Sequence, residues 1–539
     1  MRIILWTGLL VISSFAFQVD QKQQLENYIR NQLTDQLAAN DIKCGTQYAL
    51  MIHSLREKID GELYRKYINE IKQEPEWERS MLSGSGNFLL HWMESGDHAV
   101  PIEDISGNGY PDYIDSAAVI FEKVRQIEVV QMNYTPPPGQ DGTAVVPYSV
   151  YFSARSDYGL TVPGYIDIPN LPGTNYTSYI ILDNDYNDTI FFTKGIDGLR
   201  VSAAHEYHHA IQLGYNYRYT DLYFWEMTST WMEEVIYPEI NDYFYYLPSL
   251  FNNVSNTRFD LYLGVYPYAN SIYLHMLESI HGSACIKSIW DRILVESSLE
   301  ALKYVLGTYD DTWLGSLSEY GLWLYYTGDR SLPGQFFKDA IHFPKVRVYA
   351  LDKFDFEDSL SEDKNTESIS NQFLEIYNVR GKILTIDISV DNNPSAGFWN
   401  LTPYSSSDFQ RLNQPIFTGP LDSDTMTIIV TNSELTTLST NIFINQSGEI
   451  DLTSIYPFPN PVNSNTSQSI RFQNIPPEAE LYIFNTRGRR ISVIHEENGS
   501  SIRSWNFHNE MGERVAAGVY MYLVQGEGLF KTGKFSIIR

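Results

Sequence analysis

Histidine and glutamate cluster in the stretch from Val201 to Tyr215, "VSAAHEYHHAIQLGY". His205 and His209 are four positions apart, so a helix would place both imidazoles on one face. Two imidazoles at this spacing can bind zinc, and Glu206, one position after the first, would reach a water at the metal. The pattern predicts His205 and His209 as zinc ligands and Glu206 as a general base, whereas His208 points away from that face.

The surrounding residues are typical of a helix. Asp197 and Gly198 are expected to start it, and Gly214 is placed to end it. The alternative is that this short pattern arose by chance on a surface helix and binds nothing.

A catalytic zinc site needs a third protein ligand and one open position. The metzincin clan would require glycine at position 212 and histidine at position 215, so Gln212 and Tyr215 exclude it. A downstream stretch with helical spacing, "YFWEMTSTWMEE", carries Glu226 seventeen positions after His209. A second helix that supplies a glutamate ligand is the gluzincin arrangement, so Glu226 is the predicted third ligand.

Two other carboxylates compete for that position. Glu233 and Glu234 lie in the same stretch as Glu226. Each is an alternative third ligand, a solvated acidic side chain, or a carboxylate that accepts a hydrogen bond from a ligating imidazole.

Residues 86 to about 345 resemble a family of secreted bacterial zinc metalloproteases. The matching elements are "HEYHHAIQ", "WEMTSTWMEE" and the upstream loop "SGNGYPDYID". The resemblance implies a zincin-like catalytic domain with one Zn²⁺, and hydrolysis of peptide bonds in a protein or peptide substrate. In the similar zinc aminopeptidases a downstream tyrosine stabilises the oxyanion, which implies that role for Tyr268 in "YPYANSIYLHMLE". A packed aromatic side chain is the alternative for Tyr268.

The stretch "EDISGNGYPDYID" fits a calcium loop. Hard oxygen ligands at alternate positions are what Ca²⁺ requires, although an aspartate at the last position shortens the bidentate arm. The alternative is an Asx-rich turn without an ion. The predicted calcium ligands are Asp104, Ser106, Asn108, the Tyr110 carbonyl, Asp112 and Asp115, with Gly109 at the sharp turn.

Composition limits the class of partner. The 539 residues include 66 acidic and 38 basic side chains, a net charge of -28, which argues against nucleic acid or an anionic membrane as a partner. The first residues, "MRIILWTGLLVISSFAFQ", are typical of a signal peptide cut near Ala16. The apolar run is too short for a transmembrane anchor, and no later segment is apolar enough, so export without an anchor is expected.

The rest of the chain is expected to divide into four parts. Residues 17–85 have helical spacing and form a possible pro-region, and residues 86–345 mix helices and strands as an α+β zincin-like domain. Residues 346–450 and 455–539 alternate apolar and polar positions between turn residues, which predicts two all-β sandwich modules.

Two cysteines, Cys44 and Cys285, are few for an exported protein. Cys44 is expected to be a structural or disulfide cysteine. The alternative is that it occupies the metal in a latent form of the enzyme.

Residues 455–539 resemble the type A sorting domain of the type IX secretion system. The matching stretches are "YPFPNPV", "LYIFNTRGRRI", "RVAAGVYMYLV" and "KTGKFSIIR". The resemblance implies export through the outer membrane with the secretion machinery as a partner, and a secreted or cell-surface location. The alternative for the whole chain is a non-enzymatic adhesin or glycan-binding protein with an inactive zincin body.

Overall fold

The fold is that of a computed structural model. The described residues are 26–27, 29–30, 43–72, 77–168, 171, 173–262, 264–390, 397–402, 410–411, 416–417, 421, 423–446, 455–465, 467–473, 475, 479–495, 502–526 and 529–539. The predicted signal peptide, residues 1–16, lies outside them. The chain divides into two compact units. The first takes in the described residues up to Asn253 with Arg258–Ser316 and Trp323–Val346, and the second takes in Val254–Thr257, Leu317–Leu322 and the described residues from Arg347 onward.

The first unit contains a mixed five-stranded sheet. Its strands are β1 (Arg79–Leu82), β2 (Phe88–Trp92), β3 (Tyr148–Phe152), β4 (Gly159–Asp167) and β5 (Tyr176–Leu182). In β2 and β3, buried side chains alternate with partly buried ones, as with Phe88, Leu90 and Trp92, so one face is buried. The strand order is β1-β2-β3-β5-β4, with β2, β3 and β5 parallel and the two outer strands antiparallel to their neighbours. β4 therefore lies at an edge of the sheet.

Helices make up most of the rest of this unit. They are α1 (Thr46–Ser54), α2 (Gly61–Lys72), α3 (Asp112–Arg125), α4 (Gly195–Gln212), α5 (Leu222–Ile236), α6 (Leu247–Phe251), α7 (Tyr266–Asn270), α8 (Ile272–His281), α9 (Ser283–Ile293), α10 (Ser298–Thr308) and α11 (Trp313–Tyr325), the last of which runs through residues of both units. A π-helical turn, Gln126–Gln131, continues α3.

α4 and α5 are the helices that matter for the site. Both are buried on nearly all sides, which is typical of a central helix rather than an amphipathic surface helix. α4 begins at Gly195, two residues before the predicted start, because Lys194 is the last residue with extended backbone. Polar side chains on these two helices are enclosed by protein, so each needs a partner or an ion.

In the second unit, the described residues from 353 onward form strands and no helix. The strands of its first part are β6 (Lys353–Asp355), β7 (Ser359–Thr366), β8 (Ser370–Tyr377), β9 (Leu384–Val390), β10 (Gly397–Thr402), β11 (Gln410–Arg411), β12 (Ile416–Phe417), β13 (Thr425–Asn432) and β14 (Leu438–Gln446). They form a five-stranded sheet, β11-β10-β13-β8-β6, and a four-stranded sheet, β12-β9-β14-β7, with an apolar core that includes Leu374, Ile386, Ile428 and Ile444.

The last part of the chain has its own core, which includes Phe472, Ile483, Trp505 and Phe535. Its strands are β15 (Tyr456–Phe458), β16 (Val462–Asn463), β17 (Ile470–Gln473), β18 (Glu480–Asn485), β19 (Arg490–Ile494), β20 (Arg503–Trp505), β21 (Gly518–Gly526) and β22 (Leu529–Ile538). They form the sheets β15-β17-β20 and β16-β22-β21-β18-β19.

The predicted mixture of an α+β region and sandwich-like β regions is confirmed. The finer division of the chain at residues 85, 345 and 455 stays a prediction. Among the described residues, no helix combines the length and apolar character needed to cross a membrane.

Candidate metal centre

α4 brings the two predicted histidine ligands together. His205 and His209 are one helical turn apart, and their Nε2 atoms are 3.1 Å apart. Both side chains are buried. Two imidazole nitrogens at this separation are well placed to share one positive ion.

α5 adds the predicted third ligand. Oε2 of Glu226 lies 3.2 Å from Nε2 of His205 and 3.5 Å from Nε2 of His209. Burial raises the pKa of Glu226, but the two histidines outweigh burial and lower it to about 2. Oε1 of Glu226 is buried and has no hydrogen-bond partner. A buried carboxylate with a free oxygen beside two imidazoles fits a divalent cation.

Cys44 completes the group, although Cys44 and Cys285 carry no disulfide. One ligand atom each from Cys44, His205, His209 and Glu226 lies within 4.8 Å of all the others. Thiolate, imidazole and carboxylate together are a donor set that suits zinc. Burial raises the pKa of the Cys44 thiol, and the nearby carboxylates of Glu206 and Glu226 raise it further.

A second layer of hydrogen bonds orients His205. Its Nδ1 lies 2.7 Å from Oε1 of Glu233, whose Oε2 accepts a hydrogen bond from Nζ of Lys43 at 2.6 Å. Lys43 also donates to Asp242 at 2.5 Å, and all of these groups are buried. Burial opposes protonation of His205, but Glu226 and Glu233 outweigh it and raise the pKa of His205 to about 9.

His209 is oriented by a separate set of partners. Its Nδ1 lies 2.6 Å from Oε1 of Gln212 and 3.2 Å from Oγ of Ser229. Nε2 of Gln212 donates in turn to the carbonyl of Trp225 and to Oγ1 of Thr228 on α5. With Nδ1 occupied in both rings, each imidazole has only Nε2 for a metal.

The two alternative ligands lie elsewhere. Glu233 lies on the Nδ1 side of His205 and accepts a hydrogen bond from this imidazole. This is one of the alternative roles that the sequence analysis gave for Glu233. Glu234 is not part of the ligand group and lines a separate cavity of ≈ 1020 Å³ with Tyr243, His275 and Lys338.

Glu206 points into the space beside the ligands. Its Oε2 accepts hydrogen bonds from Oγ1 of Thr161 at 2.7 Å and from Oγ1 of Thr46 at 3.0 Å. β4 approaches this side chain closely, since a Cβ atom on Gly159 would lie 2.8 Å from Cγ of Glu206. Glycine at 159 therefore makes room for the predicted general base.

Tyr268, in α7, lies next to the same group. Its ring centroid is 6.1 Å from that of His205, and the side chain is fully buried. Its hydroxyl accepts hydrogen bonds from the backbone N–H of Cys44 and from Nε2 of Gln47, each at 3.2 Å. The tyrosine is near the site, while its predicted role in the reaction stays a prediction.

The predicted calcium loop is exposed and closed by its own hydrogen bonds. Asp104 accepts from the backbone N–H groups of Gly107, Asn108 and Gly109, and the last of these is the main cause of its lowered pKa. Asp112 accepts from the N–H groups of residues 105 and 106, and Asp115 accepts from the Asn108 amide. Among the described residues, the carboxylates of Asp104, Asp112 and Asp115 do not form a close ligand group like that of His205, His209 and Glu226. Calcium binding by this loop stays a prediction.

Four site residues escaped the sequence analysis: Thr46, Lys43, Thr161 and Asp242. All four are far from α4 in sequence, and none belongs to a recognisable motif. Gln212 had a signal that could have found it, because it lies three positions after His209 on the same helix. His208 lies off the ligand group as expected, with its Nδ1 2.7 Å from Oε2 of the buried Glu128.

The chain matches no known family model and no curated protein. Its likeness to solved structures is partial. PorZ, a surface component of the type IX secretion system of Porphyromonas gingivalis, is 25% identical over 18% of this chain and 14% of PorZ, with a TM-score of 0.16. Dimeric latent PorU of the same organism is 14% identical over 35% of this chain and 19% of PorU, with a TM-score of 0.16. The adhesin domain of Epf from Streptococcus pyogenes is 8% identical over 33% of this chain and 76% of that chain, with a TM-score of 0.14.

Proposed function

We propose that the chain is a zinc-dependent metallopeptidase of gluzincin type. The observation that carries this proposal is the convergence of His205, His209 and Glu226 around one point. The carboxylate of Glu206 contacts Cys44, which belongs to the same group. Zinc at this point would act as a Lewis acid toward a scissile carbonyl and toward an attacking water.

The chain's own residues supply the proton transfers. Glu206, held by Thr161, takes a proton from the attacking water and later gives it to the leaving amine. Glu233 and Gln212 hold the two imidazoles so that each presents Nε2. The Tyr268 hydroxyl is the proposed donor to the oxyanion that develops on the substrate.

Metal content and hydrolysis test this proposal together. The full chain is expected to hold one zinc, measured by mass spectrometry, and His205→Ala is expected to lose it. Casein hydrolysis is then measured before and after limited proteolysis, with and without a chelator. Glu206→Gln should keep its zinc and lose hydrolysis, because it removes the proton acceptor and leaves the ligands in place. Zinc-free wild-type protein, or a Glu206→Gln variant with wild-type hydrolysis, would contradict the proposal.

We also propose that residues 455–539 are a sorting domain of the type IX secretion system. Support comes from the stretches that resemble such domains and from the compact β fold with its own apolar core. Full chain and a chain ending at residue 454 would be expressed in a bacterium that has this system. Only the full chain is expected outside the outer membrane, and equal export of both would contradict the proposal.

A further inference from the structure

We propose that residues 43–47 hold this site in a latent state, with the sulfur of Cys44 as a fourth metal ligand. This inference rests on the proposed function, because it concerns the same metal site. The inhibitory segment, residues 43–47, lies within the part of the chain predicted as a possible pro-region.

The ligand group contains four protein side chains. Three protein ligands and an open position are typical of catalytic zinc, whereas four protein ligands are typical of a closed site. Sγ of Cys44 lies within 4.8 Å of ligand atoms of His205, His209 and Glu226, and Cys44 is fully buried. A thiolate in the fourth position would deny it to water and to a substrate carbonyl.

The backbone of the inhibitory segment pairs with β4. Cys44 forms a parallel β-bridge with Gly159 of β4. This bridge is on the edge of β4 that does not pair with β5. N–H of Gly45 donates to the carbonyl of Gly159 at 3.0 Å, and N–H of Tyr158 donates to the carbonyl of Lys43 at 2.9 Å. An extended peptide binds a protein by pairing with such a strand edge. The inhibitory segment therefore occupies the place where a substrate peptide could pair with β4.

The side chains of the inhibitory segment contact the residues proposed for the reaction. Oγ1 of Thr46 donates to Glu206, the proposed base, at 3.0 Å. Gln47 donates to the Tyr268 hydroxyl at 3.2 Å, and Lys43 is paired with Glu233 at 2.6 Å. One short segment thus engages the base, the proposed oxyanion donor and the carboxylate that orients His205.

Packing of α1 keeps the inhibitory segment in place. Residues Thr46–Ile52 are buried, and Ala49 packs against Leu160 and Val162 of β4. Loss of the sulfur ligand alone would open the metal, whereas full access to β4 would also require this helix to leave. Latency of this kind would be relieved by proteolytic removal of the N-terminal region.

Cobalt substitution tests whether sulfur is a ligand. Co²⁺ replaces zinc in the full chain, and the absorption spectrum is recorded for wild type, Cys44→Ala and the control Cys285→Ala. Cys285 is buried in α9 and is outside the ligand group. A near-ultraviolet thiolate-to-cobalt band is expected in wild type and Cys285→Ala. Cys44→Ala should lose this band while keeping the visible bands of cobalt held by His205, His209 and Glu226.

Acetohydroxamate, a small bidentate metal ligand, reports on the fourth position. It is expected to shift the visible cobalt spectrum of Cys44→Ala and to leave that of wild type unchanged. If Cys44→Ala excludes acetohydroxamate as wild type does, the site is a permanently closed structural one and latency is overturned.

The remaining outcomes separate this inference from the proposed function. Bound cobalt without a thiolate band in wild type, or a band that persists in Cys44→Ala, overturns only the role of Cys44. Wild-type protein that binds no cobalt overturns the metal centre itself. X-ray absorption at the zinc edge of the wild type needs no variant that has to fold: one sulfur is expected among the atoms bound to zinc, and a shell of nitrogen and oxygen alone would overturn the inference.

Discussion

Nδ1 of His205 lies 2.7 Å from Oε1 of Glu233, and the other oxygen of that carboxylate is paired with Lys43. The carboxylate thus joins a candidate ligand on α4 to a buried lysine from the N-terminal region. It fixes the ring so that Nε2 faces Glu226, at a distance of 3.2 Å.

Glu233→Gln is expected to weaken zinc binding by about 10–100-fold, because a neutral amide makes the ligating imidazole less basic and holds its ring less firmly than a carboxylate does. Zinc affinity is measured by competition with a chromophoric chelator. Glu234→Gln is the matched control, since Glu234 is the neighbouring residue on α5 and lies outside the ligand group. An unchanged affinity in Glu233→Gln would show that this hydrogen bond does not support the site.

Gly159→Ala is expected to impair hydrolysis more than zinc binding. The added Cβ would lie 2.8 Å from Cγ of Glu206 and 2.8 Å from Cδ2 of Leu182, so the base must shift. A displacement near 1 Å can reduce kcat by about 10²-fold. Gly84→Ala is the control, because a Cβ there meets nothing within 4 Å. The measurements are kcat after limited proteolysis and zinc content, and a normal kcat would contradict the argument.

The sequence predicted the elements that local pattern determines. The alternation in β3 and the helical spacing of His205 and His209 are local, and both elements are present. Glu226 was also proposed, because a second helix with a glutamate is itself a recognisable pattern, and its role as a ligand stays a prediction. The three predicted ligands lie together in the structure.

The second layer of the site could not be predicted in the same way. Lys43 contacts Asp242 across 199 positions, and Thr161 contacts Glu206 across 45. These contacts depend on how β4 and the inhibitory segment pack around α4, and no periodic pattern records that packing. For the same reason the sequence analysis offered Cys44 at the metal only as an alternative, since a single cysteine carries no spacing.

Glu234 is expected to make stability fall as pH rises. Burial is the main cause that raises the pKa of Glu234 from 4.5 to about 8. The carboxylates of Asp339, Glu233 and Glu239 also raise this pKa, and Lys338 lowers it. At a pH between 4.5 and about 8, the folded chain keeps a proton on Glu234 that the unfolded chain releases. The free energy of unfolding therefore decreases as the pH increases through this range.

Glu234→Gln should flatten this dependence, because an amide does not titrate. Urea midpoints at pH 5 and pH 8 are compared for wild type, Glu234→Gln and Glu57→Gln, an exposed control. The difference between the two pH values should shrink only in Glu234→Gln. The same pH dependence in all three proteins would show that Glu234 is not its source.

Zinc removal is expected to lower the thermal stability of the first unit. Binding to the folded state alone contributes about 4 kcal/mol when free zinc is 1,000 times the Kd. Chelation would withdraw this contribution and leave Oε1 of Glu226 buried without a partner. Differential scanning fluorimetry with and without chelator should show a lower midpoint for wild type, and His209→Ala should respond far less because it has lost a ligand. If chelator shifts both proteins equally, the stabilising ion is bound at some other place in the chain.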